Sequence, residues 1–278
     1  MQTISPQQAE KLIAALSDIA ARASAAILAI PLSAAEQRTK VDLSPVTAAD
    51  EAAEAVILDG LARVCPGVPV VAEESVSQGR LPDRLGDSFF LVDPLDGTKE
   101  FIAGRDEYTV NIALITGGTP IAGVITAPAR GLLWRGVVGG AAERLRLAFA
   151  DPAAQATERH TIRPRPAPPR LTIATSRSHL DSATQDLVAR LPIGERYMCG
   201  SSVKFCHLAE GTADIYPRLS PTCEWDIAAG VAILTAAGGI AVAANGGALA
   251  FGNRDSKFLV PGFIAAGDAQ SLKILTGR

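Results

Sequence analysis

Only four cysteines stand in 278 residues, Cys65, Cys199, Cys206 and Cys223, and they are scattered without metal-ligand spacing. No secretory signal is visible. Disulfides are therefore not expected, and a reducing cytoplasm is the simpler setting. A basic excess is missing as well: 26 Lys and Arg face 29 Asp and Glu, a net charge of −3. Binding to polymeric nucleic acid, which calls for a basic stripe, is not expected. No uncharged apolar run is long enough to span a bilayer, so no integral membrane segment is expected. The longest Ala-rich stretch, Ala9 to Ile30, is broken by Lys11, Asp18 and Arg22. Internal repeats are absent too.

What is present reads as an ordinary globular protein, with 48% hydrophobic and 20% charged residues. The length suffices for one large domain or two modest ones with a real core. A net-acidic chain that binds an anion must supply positive charge locally, from metal ions or a few Lys and Arg.

Hydrophobic spacing sets the elements. Leu12, Ile13, Leu16, Ile19, Ala20, Ala23 and Ile27 recur at helical intervals, which predicts an amphipathic helix facing the core rather than a membrane. Thr47, with Asp50 three residues on, resembles a capping box and opens a second helix to about Val64. Val68 to Ala72 reads as a strand ending at Glu73-Glu74, and Phe89 to Val92 as a strand ending at Asp93. Runs 109–115, 120–126 and 132–138, punctuated by glycine pairs, predict an antiparallel meander. Residues 151–170, rich in proline, predict an irregular connector, and the halves 1–160 and 161–278 are divided there. Beyond it come strands at 171–175, 196–199 and 213–217. Helices are expected from Asp181 to about Leu191, from Ser202 to Glu210, from Trp225 to Ala237 and near 268–275. Mixed order of strand and helix implies stacked α/β layers.

The informative segment is Asp93-Pro94-Leu95-Asp96-Gly97-Thr98-Lys99-Glu100-Phe101. It lies at a strand's carboxyl end, with Pro94 stiffening the turn. Two carboxylates this close repel unless a cation sits between them. Hard oxygen ligands suit Mg²⁺ or Mn²⁺ rather than zinc. Gly97 and Thr98 offer backbone N–H groups at a helix start, an anion cradle. Metal carboxylates beside an amide cradle are what phosphate-ester hydrolysis needs. Taken alone, Asp-x-x-Asp-Gly is also a common Asx turn, and Asp226 at the start of an apolar helix is also a plain N-cap.

Four segments together resemble the inositol monophosphatase superfamily of lithium-sensitive, Mg²⁺-dependent phosphatases: Val-Thr-Ala-Ala-Asp (46–50), Glu-Glu-Ser (73–75), Asp-Pro-Leu-Asp-Gly-Thr (93–98) and Glu-Trp-Asp-Ile-Ala-Ala-Gly (224–230). They occur in the expected order and cover most of the chain. The fold implied is an alternating five-layer αβαβα sandwich. Lys99-Glu100-Phe101, Ser44-Pro45, Ser176-Arg177-Ser178-His179, the run from Gly200 to Cys206 and that from Ala213 to Arg218 are similar to the 3′(2′),5′-bisphosphate nucleotidase branch of the CysQ type. Those enzymes convert 3′-phosphoadenosine 5′-phosphate to AMP and phosphate.

The resemblance implies residue roles. Glu73, Asp93 and the Leu95 carbonyl would hold one Mg²⁺, and Asp93, Asp96 and Asp226 a second. Glu74 would take a third, weaker ion or tune the site. Thr98 and Asp50 would orient and deprotonate water, with Glu73 beside them. The Gly97 and Thr98 amides would hold the scissile phosphate. Lys204 and Arg218, with Ser201 and Ser202, would clamp a second phosphate, and His179 would meet the adenine or ribose. Tyr216 reads equally well as core. Relatives are often homodimers, although no interface is legible here. Rival readings are an inositol, histidinol or sugar phosphatase on the same scaffold, and a non-catalytic binding protein. A monophosphate needs no second clamp, which separates the first rival. The complete carboxylate set argues against the second.

Overall fold

The computed structural model describes residues 3–31, 38–39, 45–149, 151–177 and 180–276. Ser5 opens helix α1 (Pro6–Leu28): its hydroxyl accepts the Gln8 N–H while the Gln8 side chain accepts the Ser5 N–H, a reciprocal cap. Leu16, Ile19, Ala20, Ala23 and Ile27 are buried, as their spacing predicts. Strands β1 (Arg38–Thr39) and β2 (Pro45–Val46) pair antiparallel and lead to α2 (Ala48–Val64). Thr47 caps α2 and Asp50 completes the predicted capping box.

Next come β3 (Val70–Ala72), the short helix α3 (Glu73–Ser77), β4 (Ser88–Asp96) and the short helix α4 (Thr98–Ile102). The meander follows as β5 (Thr109–Thr116), β6 (Thr119–Ala127) and β7 (Leu132–Val137), and continues into β8 (Ala142–Arg146) and β9 (Glu158–Thr161). These seven strands form one sheet in chain order, with β3 parallel to β4 and the remaining pairs antiparallel. The expectation of an irregular 151–170 connector is corrected here. Its prolines flank Glu158–Thr161 rather than interrupt it, so the backbone N–H groups of β9 remain available to pair with β8.

The second half contributes β10 (Leu171–Ser176), α5 (Ser182–Ala189, capped by Asp181), β11 (Ile193–Cys199), α6 (Val203–Ala209) and β12 (Ile215–Arg218). Then come β13 (Thr222–Cys223), α7 (Glu224–Ala237), β14 (Ile240–Ala243), β15 (Leu259–Val260), β16 (Phe263–Ala266) and α8 (Ala269–Thr276). A mixed five-stranded sheet has the order β11-β10-β12-β16-β14, and β13 pairs with β15.

Strand alternation assigns the layers. Phe90, Val92, Ile112, Leu114 and Val124 face α1 and α2. Phe89, Leu91, Ala113, Ile115 and Ile125 face the opposite way, onto α6 and α7. Those helices also pack on the five-stranded sheet, whose far side (Leu171, Ile173, Ile215, Ile264) packs with Val188 of α5 and Leu272 of α8. The order helix, sheet, helix, sheet, helix is the five-layer α/β sandwich that the sequence led us to expect. Among the described residues no helix is long and apolar enough to cross a membrane.

Candidate active site

Two neighbouring strands set the acidic wall. β3 and β4 run parallel with Ala72 opposite Val92, so Glu73, where β3 ends, and Asp93, still paired in β4, come next on neighbouring strands. β4 then slips against β5: Asp93 faces Asn111, yet Asp96 faces Thr109. Three residues advance on one strand for two on the other, a bulge of the kind that re-aims side chains. The Leu95 N–H donates to Asp93 Oδ1 at 3.0 Å, which closes the turn. Gly97 follows with φ of 92° and opens α4. This left-handed conformation suits glycine, and a Cβ there would lie 3.1 Å from the Glu107 carbonyl oxygen.

Thr98 is the hinge of the polar network. Its Oγ1 lies 3.1 Å from Asp50 Oδ1 and 3.1 Å from the Leu95 carbonyl oxygen. Asp50 is itself fixed, because its Oδ2 accepts the Thr47 N–H and hydroxyl, each at 2.7 Å. The capping-box carboxylate of α2, Asp50, is thereby bonded to a hydroxyl 48 residues along the chain. Asp226 enters from the other half, in the first turn of α7. Its Oδ2 accepts the Thr222 hydroxyl at 2.5 Å and the Cys223 N–H at 3.2 Å.

These groups share one cavity of about 210 Å³. It is lined by Glu73, Asp93, Leu95, Asp96, Gly97 and Thr98, and by Ser201, Ser202, Lys204, Arg218 and Asp226 from the second half. Asp50 stands behind Thr98. His179 lies outside the described residues, as do Ser44 and Ser178. Among the described residues, no three carboxylate, cysteine or histidine side chains already converge on a single ligating point. The carboxylates nonetheless feel one another. Burial, then the charge of Asp226, pushes the Asp96 carboxyl up to about 7, with Glu73 adding to the rise against the opposing Lys204 charge and Ser202 N–H. Burial, then Glu73, pushes Asp226 up to about 6.

The cationic side has an unusual make-up. Lys204 is buried, not a solvated surface charge. Its Nζ donates to the Cys199 and Ser201 carbonyls and sits 5.1 Å from the centre of the Tyr216 ring. Tyr216 is core on one side, edge-on to Phe205 and Phe263, and cavity wall on the other. Arg218 Nη2 donates to the Pro221 carbonyl, while its Nε is buried without a hydrogen-bond partner among the described residues. Ser201 holds a left-handed backbone, φ of 48°, and its Oγ is likewise buried with no hydrogen-bond partner among the described residues. The Ser202 hydroxyl is engaged, with Asn111 Oδ1 at 2.6 Å and Thr109 Oγ1 at 2.8 Å. Ser202 therefore offers the cavity its backbone more than its side chain.

The sequence reading missed Glu54, whose buried carboxylate accepts the Glu74 N–H at 2.8 Å and the Ser75 hydroxyl at 2.7 Å. It stands one helical turn after Asp50, which was the available signal. Glu107 and the cavity-lining Glu100 were missed as well; both sit in a loop or short helix that has no periodicity to read.

Comparison with known proteins agrees with this geometry. The model of the inositol monophosphatase family matches residues 7–274. The 3′(2′),5′-bisphosphate nucleotidase CysQ of Escherichia coli is 43% identical over 225 residues, covering 81% of this chain and 86% of that protein. The CysQ nucleotidase of Salmonella typhimurium is 42% identical over 228 residues, covering 82% and 87%. Among solved structures, CysQ from Bacteroides thetaiotaomicron superposes with a TM-score of 0.71 at 35% identity, covering 92% of this chain and 97% of that one. An inositol monophosphatase from Anabaena gives 0.75 at 24% identity, covering 97% and 95%, a likeness of fold alone. With the sandwich, the four segments and the match over nearly the whole length in agreement, this chain belongs to the inositol monophosphatase family.

Proposed function

We propose that this chain is a Mg²⁺-dependent phosphomonoesterase that hydrolyses 3′-phosphoadenosine 5′-phosphate to AMP and phosphate, a 3′(2′),5′-bisphosphate nucleotidase. One observation carries the reading. The acidic wall of Glu73, Asp93, Asp96 and Asp226 shares a single cavity with a buried lysine and an arginine. A plain phosphate monoester asks for the first feature and a bisphosphate asks for both.

The donor set fits a hard divalent cation. It consists of carboxylates and the Leu95 carbonyl, with no sulfur or imidazole among them. The upward shifts of Asp96 and Asp226 arise from burial and like charge, which a cation offsets. Glu73, Asp93 and Leu95 would hold one ion and Asp93, Asp96 and Asp226 another, with Glu74 close to a third or tuning the first two. When bound, Mg²⁺ lowers the pKa of the attacking water and neutralises charge on the leaving oxygen.

The chain's own groups do the rest. Thr98 Oγ1 accepts a proton from the water as it passes its own to Asp50 Oδ1, along the 3.1 Å contact already present. Glu73, which lines the same cavity, would help orient the water. The Gly97 and Thr98 N–H groups hold the scissile phosphate. Arg218 Nε and Ser201 Oγ, both buried without a partner among the described residues, are donors available to a second phosphate. Lys204 gives two of its three N–H donors to backbone carbonyls, so it brings a fixed positive charge and one remaining donor to the cavity wall. His179 would contact the nucleoside. We assign residues 1–160 to most of the metal ligands and residues 161–278 to Asp226 and substrate choice. The activity calls for no nucleic-acid polymer and no membrane, and it suits the cytoplasm.

The deciding experiment compares phosphate release from 3′-phosphoadenosine 5′-phosphate and inositol 1-phosphate, each with Mg²⁺ and with EDTA. An EDTA-sensitive preference for the nucleotide is expected. Preference for the inositol ester would retain the metal chemistry and remove the second-phosphate clamp. Asp96→Asn is expected to lose essentially all hydrolysis; a variant working at the normal rate would remove Asp96 from the metal site.

A further inference from the structure

Glu107 belongs to neither the acidic wall nor the cationic clamp, and it does not line the cavity. It lies between α4 and β5, yet both of its ends engage the site's two loops. Its carbonyl oxygen is 3.1 Å from where a Cβ on Gly97 would stand, and 3.1 Å from where a Cβ on Gly200 would stand. One peptide oxygen is thus wedged between the loop of the phosphate cradle and the loop of the clamp, and only glycines let both backbones approach it. Its carboxylate then secures the second loop. Oε2 accepts the Gly200 N–H at 3.0 Å, and Arg177 closes on both oxygens at 2.7 Å and 3.0 Å. The same Arg177 nitrogen reaches the Met198 carbonyl at 3.0 Å, so the arginine binds Glu107 and the strand entering the loop together.

Exposed ion pairs contribute little, but this one is not a free surface pair. The Glu107 side chain is 13% exposed and accepts a backbone N–H besides its arginine. The loop it holds needs holding, because Ser201, directly after Gly200, sits in the left-handed region that a serine enters only at a cost.

We propose that Glu107 is a positioning residue that sets the spacing between the cradle at Gly97–Thr98 and the loop Gly200–Ser202, and thereby the preference for a bisphosphate over a simple monoester. The inference rests on the nucleotidase reading above. A substrate that spans both loops feels their separation, whereas a small monoester engages only the cradle. Glu107 touches no substrate; it acts through Gly200 and Ser201.

The test uses the full-length Mg²⁺-loaded protein, with Glu107→Ala, Glu107→Gln, Arg177→Ala and the double alanine variant. Three substrates are compared: 3′-phosphoadenosine 5′-phosphate, inositol 1-phosphate and p-nitrophenyl phosphate. Glu107→Ala is expected to raise KM for the bisphosphate about tenfold, the scale of one lost charge-assisted hydrogen bond. Turnover of p-nitrophenyl phosphate should stay within about twofold of wild type on the same reasoning. Glu107→Gln, which keeps an acceptor for the Gly200 N–H, should recover most of the loss. The double variant should be no worse than Glu107→Ala, because the two side chains act as one unit. Equal losses on all three substrates, or Gln as damaging as Ala, would overturn the proposal. If Glu107→Ala does not fold, Arg177→Ala decides alone: raised KM for the bisphosphate with unchanged monoester turnover supports it, and unchanged selectivity overturns it. Wild-type preference judges the nucleotidase reading separately. Should inositol 1-phosphate be preferred, that reading falls, and the variant-to-wild-type KM ratio for the bisphosphate against that for p-nitrophenyl phosphate still decides whether Glu107 spaces the loops: a ratio of one overturns it.

Discussion

Glu54 shows how a residue remote from any substrate can govern a metal ligand. Its two carboxylate oxygens hold the Glu74 N–H and the Ser75 hydroxyl, the first turn of α3 directly after Glu73. Burial pushes its carboxyl up, and the bonds from Ser75 and Glu74 with the charge of Arg80 hold the rise in check. Glu54→Ala leaves a buried N–H and a buried hydroxyl without their acceptor, which costs about 1–3 kcal/mol. It should also loosen Glu73 and raise the Mg²⁺ concentration needed for half-maximal activity. Glu54→Gln, which keeps an acceptor, should lose less of both. Thermal unfolding with a parallel Mg²⁺ titration reads the two effects; a lower melting point with unchanged Mg²⁺ dependence would confine Glu54 to folding. At this scale the sequence was legible where chemistry is local. Asp93, Asp96, Gly97 and Thr98 are neighbours, and the capping box announced Asp50. Glu54 and Glu107 were harder to read because their partners stand 20 and 93 residues away, and only Glu54 carried a local signal, its place one turn after Asp50.

At the scale of elements, the long periodic segments were read well, and of the two five-residue helices only the start of α4 was read, from Gly97 and Thr98. α1, α2, α7 and the meander lie where hydrophobic spacing placed them. α3 and α4, five residues each, are too short to show a period, and both carry the site. β9 was hidden by proline-rich flanks. α7 illustrates what spacing cannot say. It is apolar nearly all round because it lies between two sheets, so it has no single buried face to detect. Its contact with α6 is set by Gly230, where a Cβ would fall 2.4 Å from Phe205 Cγ. Phe205 cannot retreat, since it stacks on Phe263 at 5.4 Å and meets Tyr216 edge-on. Gly230→Ala gains helix propensity, up to about 1 kcal/mol, but must push helices apart in a close-packed layer. A net destabilisation of about 1–3 kcal/mol is expected from overpacking. Because α6 carries Lys204 and α7 carries Asp226, kcat/KM should fall with it. Chemical denaturation and steady-state rates check both; a more stable, fully active variant would show that the helices have slack.

For the whole molecule, the sandwich brings carboxylates from two distant stretches of chain into one low-dielectric cavity, and that assembly has a pH signature. The Asp96 and Asp226 carboxyls lie at about 7 and about 6, above their ordinary value of 3.8. The folded chain therefore retains protons that the unfolded chain releases. The stability these groups contribute is complete below their ordinary value and is lost as pH rises through the folded values. Divalent cations bind the ionised carboxylates and compete with those protons. Without metal, the share of the melting point that these two groups control should fall between about pH 4 and about pH 7, and the increment given by saturating Mg²⁺ should grow over the same interval. His207 opposes this trend in the acid part of the interval, and comparison with Asp96→Asn separates the two. Burial holds its imidazole down at about 4, below its ordinary 6.5, so the stability it carries is lost only as pH falls below about 6.5. Thermal unfolding in EDTA and in Mg²⁺ across that interval measures the two trends. Asp96→Asn removes one titrating partner and should flatten both, whereas a Mg²⁺ increment independent of pH in the wild-type protein would place the cation somewhere other than between Asp96 and Asp226.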